Sequence, residues 1–187
     1  MEINSVNPPS SMGRRKLASP RTQLDRGNWI ESAIDVLAHD GVGGLRVEVL
    51  AKRCGVTKGS FYWHFKDRQD LLAAILEHWK EGRIRDIEKT TSVTPGKERE
   101  QLHFAIEVYG ASRNRKGMSI ELAVRDWARH DPQAATVVEA VDLYRLECTR
   151  KLFVAAGMSD AEAKSRSLLL YACVFGLSLM HYTHFDD

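Results

Sequence analysis

This chain has little to staple it together and nothing that looks like a membrane anchor. It has three cysteines, Cys54, Cys148 and Cys173, an odd number with no C-x-x-C pair. This excludes a disulfide scaffold and fits a reducing, cytoplasmic setting. The first seventeen residues are polar and contain Arg14-Arg15-Lys16 but no apolar run, so a secretory leader is not expected. The longest stretch free of charge, Ser167 to Phe185, has an apolar heart of Leu168 to Met180, which is short for a membrane span and better suited to a buried helix. No charge of one sign dominates, since 27 Lys+Arg face 25 Asp+Glu. Taken whole, that balance argues against a nucleic-acid partner.

Hydrophobic residues make up 43% and charged residues 28%, a globular composition in a chain of 187 residues, long enough to bury a core without metal or disulfides. Residues 1–23 hold three of the five prolines and show no period, so they read as a flexible basic tail. From Leu24 onward the apolar spacing is helical. Ile30, Ala33, Ile34 and Leu37 define a helix over about 25–40, with Asp25 as N-cap, Leu24 and Trp29 as a staple and Gly41 as a left-handed end. A short helix from Arg46 to Arg53 follows. Gly55 then makes a sharp turn, and Thr57 caps a second short helix, Lys58 to His64. Two short helices about a glycine turn spell a helix-turn-helix over about 46–65. Asp67 caps a longer helix.

The remainder is also helical. Thr94-Pro95 is expected to start a helix, Arg113 to Gly117 to form a basic loop, and Pro132 to open a helix that runs to about 156. Ser159 with Glu162 forms a capping-box signature for a last helix over about 160–184. No segment alternates with period two. The chain is therefore read as all-α, with a three-helix helix-turn-helix head at 24–66 and a helical body at 67–187, roughly eight to nine helices in total.

A recognition helix places short polar side chains at its N-terminal end, where it enters the major groove. Thr57, Lys58, Gly59 and Ser60 suit that end: two hydroxyls, one cation and a glycine that lets the backbone come close. Tyr62, His64 and Lys66 can donate to phosphates. The run from Gly55-Val56-Thr57-Lys58-Gly59-Ser60 through Phe61-Tyr62-Trp63-His64-Phe65-Lys66 to Asp67-Arg68-Gln69-Asp70-Leu71-Leu72 resembles the TetR family of one-component bacterial transcriptional regulators, whose pattern is close to G-V-S/T-x-G-x-x-Y-x-H-F-x-S/D-K-E-x-L-L. The resemblance reaches back through Ala51, Gly41, Ala33 and Ile30 and covers roughly 25–80. It implies a homodimer with two heads that bind double-stranded operator DNA and a helical body that binds a small molecule. It also implies that Thr57, Gly59, Tyr62 and His64 meet the DNA backbone, and that Lys58, Ser60 and Trp63 occupy base-reading positions. For Trp63 the choice between a thymine methyl and simple packing stays open. The family's Thr or Ser cap and acid are replaced here by Arg46 and Val49. The second helix thus lacks a capping box. Gly44 is an alternative cap, and Arg46 is free to reach a phosphate.

Divided by region, the charge tells more. Residues 1–66 hold ten basic and six acidic residues, whereas 67–187 hold 17 and 19. A basic head on a slightly acidic body fits a phosphate partner. The last helix is apolar almost all round, from Leu168 to Met180, so a second copy is expected to cover it, with 132–156 and 160–184 forming a four-helix interface. Trp79, His103, Tyr109, Trp127, Tyr144, Cys148 and Tyr171 are candidates to line an effector pocket, each equally suited to plain core. Cys54 suits packing better than redox sensing. His181 and His184 lie three apart but lack a third ligand, so neither a metal site nor a cofactor is expected. No nucleotide loop or hydrolase motif is present, so no enzyme activity is expected. The expected function is a ligand-responsive DNA-binding regulator, a repressor released by a small molecule. The alternative is a helical carrier or enzyme with a vestigial helix-turn-helix.

Overall fold

The computed structural model describes residues 24–110 and 115–180. Among them there is no strand. The helices are α1 (Arg26–Asp40), α2 (Val47–Arg53), α3 (Lys58–Phe61), α4 (Arg68–Thr91), α5 (Glu98–Gly110), α6 (Arg115–Ala128), α7 (Pro132–Ala155) and α8 (Asp160–Leu179), with one 3₁₀ turn at Val42–Gly44. The all-α expectation holds.

The start of α1 is fixed by a reciprocal cap. Asp25 accepts from the Asn28 backbone N–H at 2.8 Å, and the Asn28 side chain accepts from the Asp25 N–H at 3.1 Å. Both bonds satisfy donors that the helix itself leaves unpaired. Leu24 packs on the core that also buries Trp29, as the staple requires. The head is built on three aromatic rings. Trp29 meets Phe61 edge-on at 5.5 Å, and Phe61 stacks on Phe65 at 5.2 Å. From these rings the buried core runs on without a break through Ile75 and Trp79 of α4 and Val124 and Trp127 of α6 to Val138 and Val141 of α7. α1 therefore rests on α6 as well as on α4.

Several expected boundaries move, each for a local reason. Gly41 has a positive φ of 65°, but its ψ of −174° places it outside the left-handed helical region. Gly44 belongs to the 3₁₀ turn, so the cap of α2 is Arg46, which supplies extended backbone and no side-chain bond. α3 ends at Phe61 rather than His64. Beyond it, Trp63 and His64 close tight turns onto Ser60 and Phe61, which brings Phe65 back over the core. No helix starts at Thr94-Pro95. Gly96 takes a φ of 84°, Lys97 closes a turn onto Thr94, and α5 begins only at Glu98. Arg115, Lys116 and Gly117 are helical, not loop, while residues 113 and 114 lie outside the described residues.

α7 opens with Pro132 as expected. Asp131 Oδ1 caps it by accepting from the N–H groups of Gln133 and Ala134 at 2.9 and 3.1 Å. At α8, Ser159 accepts from the Glu162 N–H at 3.3 Å, but the return half of the box is absent because the Glu162 carboxylate pairs with Arg166. α8 ends at Leu179 with Met180 as its C-cap, and the remaining expected helical residues, His181 and His184 among them, lie outside the described residues. No helix among those described is long and apolar enough to cross a membrane.

Candidate nucleic-acid interface

α2 and α3 are joined by Cys54–Thr57. Gly55 holds φ at 68°, a conformation that a side chain makes costly. Cys54 lies inside the turn, where its thiol donates to Ser32 Oγ at 3.3 Å, so it acts as packing. Thr57 caps α3 by its backbone alone. Its exposed hydroxyl makes no capping bond and is free to meet a partner. Gly59 is exposed, and a Cβ built there would meet only Thr57 Oγ1, at 3.7 Å. The protein itself therefore does not require glycine at 59. Close approach by something outside the chain would.

The most exposed aromatics of the head follow α3 directly. Trp63 is 86% exposed and Tyr62 61%. Phe61 and Phe65 are fully buried, so the segment sends one pair of rings inward and the other outward. An indole that exposed contributes little to this fold, so packing within the chain does not explain Trp63. Ser60 and His64 are half-buried at the edge of the same face, and Arg46, Lys58 and Lys66 are exposed. Lys66 is held by its backbone N–H, which donates to Asp70 at 2.9 Å, leaving its side chain outward.

From Arg46 to Lys66 the sequence carries five basic residues and one acid, Glu48. The Lys58 ammonium donates to Glu48 Oε1 at 2.6 Å. That hydrogen bond, helped by Glu48's own backbone N–H, holds the carboxyl below the usual carboxylate range. Sequence reasoning missed Glu48. Its isolation among cations, in the first turn of α2, was the available signal.

Residues 30–75 match the family described as bacterial regulatory proteins, tetR family. Over this segment the chain is similar to the TetR family. Over 56 residues the chain is 41% identical to the class A tetracycline repressor protein from transposon 1721 of Escherichia coli, covering 30% of this chain and 26% of that one. It is 38% identical over 55 residues to the transcriptional regulator AcrR of Shigella flexneri, covering 29% and 26%. The match thus spans about a quarter of each of these relatives. Solved structures extend the likeness of fold beyond the head. A regulator from Saccharomonospora viridis in complex with choline aligns over 87% of both chains with a TM-score of 0.70 and 18% identity. SmeT, the repressor of a Stenotrophomonas maltophilia multidrug efflux pump, aligns over 85% of this chain and 79% of its own with a TM-score of 0.62 and 21% identity.

Behind the head, none of the six pocket candidates whose side chains are described lines the open cleft between α6 and α7. Trp79 and Trp127 are buried core, and the Trp127 indole donates to Asp131 at 3.1 Å. The Tyr144 hydroxyl donates to Glu88 at 2.8 Å, which holds its pKa up at about 12. Tyr171 shares a hydrogen bond with buried Thr149 at 3.0 Å. Cys148 is half-buried, His103 is exposed, and the Tyr109 side chain lies outside the described residues. That open cleft, of about 360 Å³, is lined instead by residues that include Arg125, Asp142 and Leu143.

Beside that cleft lies an ionic cluster not foreseen from the sequence. Glu121 and Arg145 are both buried and pair at 3.2 Å. Arg125 donates to Asp142 at 2.5 and 2.9 Å and to Glu121 at 2.9 and 3.1 Å, with the Phe175 ring 4.1 Å from its guanidinium. Burial disfavours the Arg125 charge, but its bonds to Asp142 and the charge of Glu121 more than offset this and raise its pKa.

Proposed function

We propose that this chain is a dimeric, ligand-responsive transcriptional regulator that acts in the cytoplasm as a repressor, and that a small molecule releases it from a pseudo-palindromic operator. The TetR-family match over residues 30–75, set on an outward face of Thr57, Lys58, Gly59, Tyr62 and Trp63, carries this reading. Thr57, Tyr62, His64, Lys66 and Arg46 would hold phosphates. Lys58, Ser60 and Trp63 would face base edges. Gly59 would let the backbone approach. In this division of labour 24–66 is the reading head and 67–187 the body that senses and dimerises.

The body supports a dimer through its unpaired leucines. Leu143 of α7 is 62% exposed and Leu169 of α8 63%, with Leu168, Leu177 and Leu179 also open to solvent. An apolar surface of this kind marks an interaction site. A two-fold axis through α7 and α8 would carry two heads to successive major grooves, about 34–36 Å apart. The Saccharomonospora relative holds choline, which supports a small-molecule effector for this chain without naming it. A helical carrier or enzyme with a vestigial head has no use for a Trp63 left in solvent.

Selection from a pool of randomised duplexes by the full-length protein tests the reading. The expected result is an inverted repeat, bound by a species that sediments as a dimer, with affinity falling steeply as salt rises. Equal recovery of all sequences would reject it. Leu169→Glu on α8 is expected to shift the protein toward monomer and to lower operator affinity with it.

A further inference from the structure

We propose that Glu48 and Lys58 act as one unit that reads a G·C base pair in the major groove, with the Lys58 ammonium donating to guanine and the Glu48 carboxylate accepting from cytosine N4. The proposal rests on the DNA-binding reading above and adds to it a specificity residue on α2.

The two side chains meet at 2.6 Å across the helix-turn-helix, one from each of its short helices. Both are outward, 58% and 60% exposed, so the pair is presented to solvent and not used as internal glue. An exposed ion pair adds little to stability, so folding gives no strong reason for an acid at this position. Binding gives a reason against one. The carboxyl is held below the usual carboxylate range, and the segment from Arg46 to Lys66 that carries it also carries Arg46, Lys52, Arg53, Lys58 and Lys66, the cations that would meet phosphates. Near a phosphate the carboxylate repels. It stops being a liability only where it finds a hydrogen-bond donor.

The major groove supplies such donors on base edges, and their order matters. Across a G·C pair the groove presents two adjacent acceptors, guanine N7 and O6, and then the cytosine N4 donor. An ammonium with an attached carboxylate has the complementary order: several donors, then an acceptor. Across an A·T pair the only donor, adenine N6, is flanked by acceptors on both sides, N7 and thymine O4. A carboxylate placed there would face oxygen or nitrogen lone pairs whichever way the pair is turned. The preassembled pair therefore favours G·C, and the neighbouring cations remain available for phosphates.

The test uses the full-length protein and its Glu48→Gln and Lys58→Ala variants, each selecting from a randomised duplex pool. Wild type is expected to recover an inverted repeat with a fixed G·C pair in each half-site. Both variants are expected to keep the rest of that motif and to lose the preference at that same position. In titrations on the selected duplex, replacing that pair by A·T is expected to weaken wild-type binding about tenfold, the scale of one specific side-chain contact. The variants should bind both duplexes nearly alike, and Glu48→Gln should bind random duplex more tightly than wild type. Thermal melts confirm that each variant is folded. If both variants keep the wild-type preference, or if they lose preference at different positions, the pair does not read as a unit and the proposal fails. If wild type itself recovers no motif, the DNA-binding reading falls first and takes this proposal with it, an outcome distinct from the other two.

Discussion

The Arg68 side chain reaches back from the first turn of α4 to the residue before Arg46, where its Nε donates to the Leu45 carbonyl at 2.6 Å. Its Nη2 donates to the Val42 carbonyl at 3.0 Å. Leu45 is fully buried, so this clamp ties the chain entering α2 to the helix that links head and body. Arg68→Met removes both bonds and keeps most of the bulk. The expected loss is about 1.5 kcal/mol of stability, the lower end of the range for hydrogen bonds to a charged group because the side chain is largely solvated. Duplex affinity is expected to fall by more than that loss explains, since the pose of α2 and α3 is set there. Urea denaturation and duplex titration on the same sample separate the two effects.

The two glycines of the reading segment are expected to behave in opposite ways. Gly55→Ala puts a side chain at φ 68° and is expected to cost about 1–2 kcal/mol of stability. Gly59→Ala meets no atom closer than 3.7 Å, so its thermal midpoint should match or slightly exceed wild type while its DNA affinity drops. A Gly59→Ala protein that binds DNA as well as wild type would falsify the close approach inferred here.

Breaking the buried ionic cluster is expected to be costly. Glu121→Ala leaves the buried Arg145 guanidinium short of its partner, and removing one member of such a pair typically costs about 3–5 kcal/mol. Replacing Glu121 and Arg145 together by apolar residues of similar volume should cost much less. Denaturant midpoints of the two variants check this, and equal losses would show that the pair is not energetically linked.

Asp131 gives a pH-dependent contribution of known sign. Its carboxylate accepts from the N–H groups of Ala134 and Gln133 and from the Trp127 indole; the Ala134 bond is the largest influence, and together these outweigh burial and hold its pKa below the ordinary 3.8. Its stabilisation is therefore fully present above 3.8 and is lost as the pH falls through the lower folded-state value. Asp131→Ala should cost about 1 kcal/mol near neutrality, the usual worth of an N-cap. That difference from wild type should vanish in acid. Paired denaturation curves at neutral and low pH test it, with Trp127 emission as a local reporter.

The head was legible in the sequence because its signals are local. Asp25, Gly55, Thr57 and Asp67 act within a few residues of themselves, and the spacing of Ile30, Ala33 and Leu37 reports a single buried face. Errors at the helix ends arose where backbone choices compete over three or four residues. Pro95 suited a helix start, but Gly96 beside it turned the chain the other way. The body was legible as helices, and the partners of its polar side chains were not. Tyr144 and Tyr171 carry the chemistry of a pocket lining, yet each bonds its hydroxyl to a residue of another helix, Glu88 and Thr149, and spacing within one helix cannot reveal that. Glu48–Lys58 and Glu121–Arg145 were missed for the same reason: each joins two helices whose relative placement no periodicity encodes.

α1 rests on α6 within an unbroken core, and Lys116 of α6 pairs with Asp35 of α1 at 2.8 Å. The segment that would read DNA is thus not a cartridge that can be cut out at residue 66 and fitted to another receptor. A chimera joined there inherits a foreign seat for α1, and with it a new pose for the reading segment. Exchanging operator specificity between such proteins would require carrying the α6 surface along with the head, or leaving both in place and changing only the outward residues of α2 and α3.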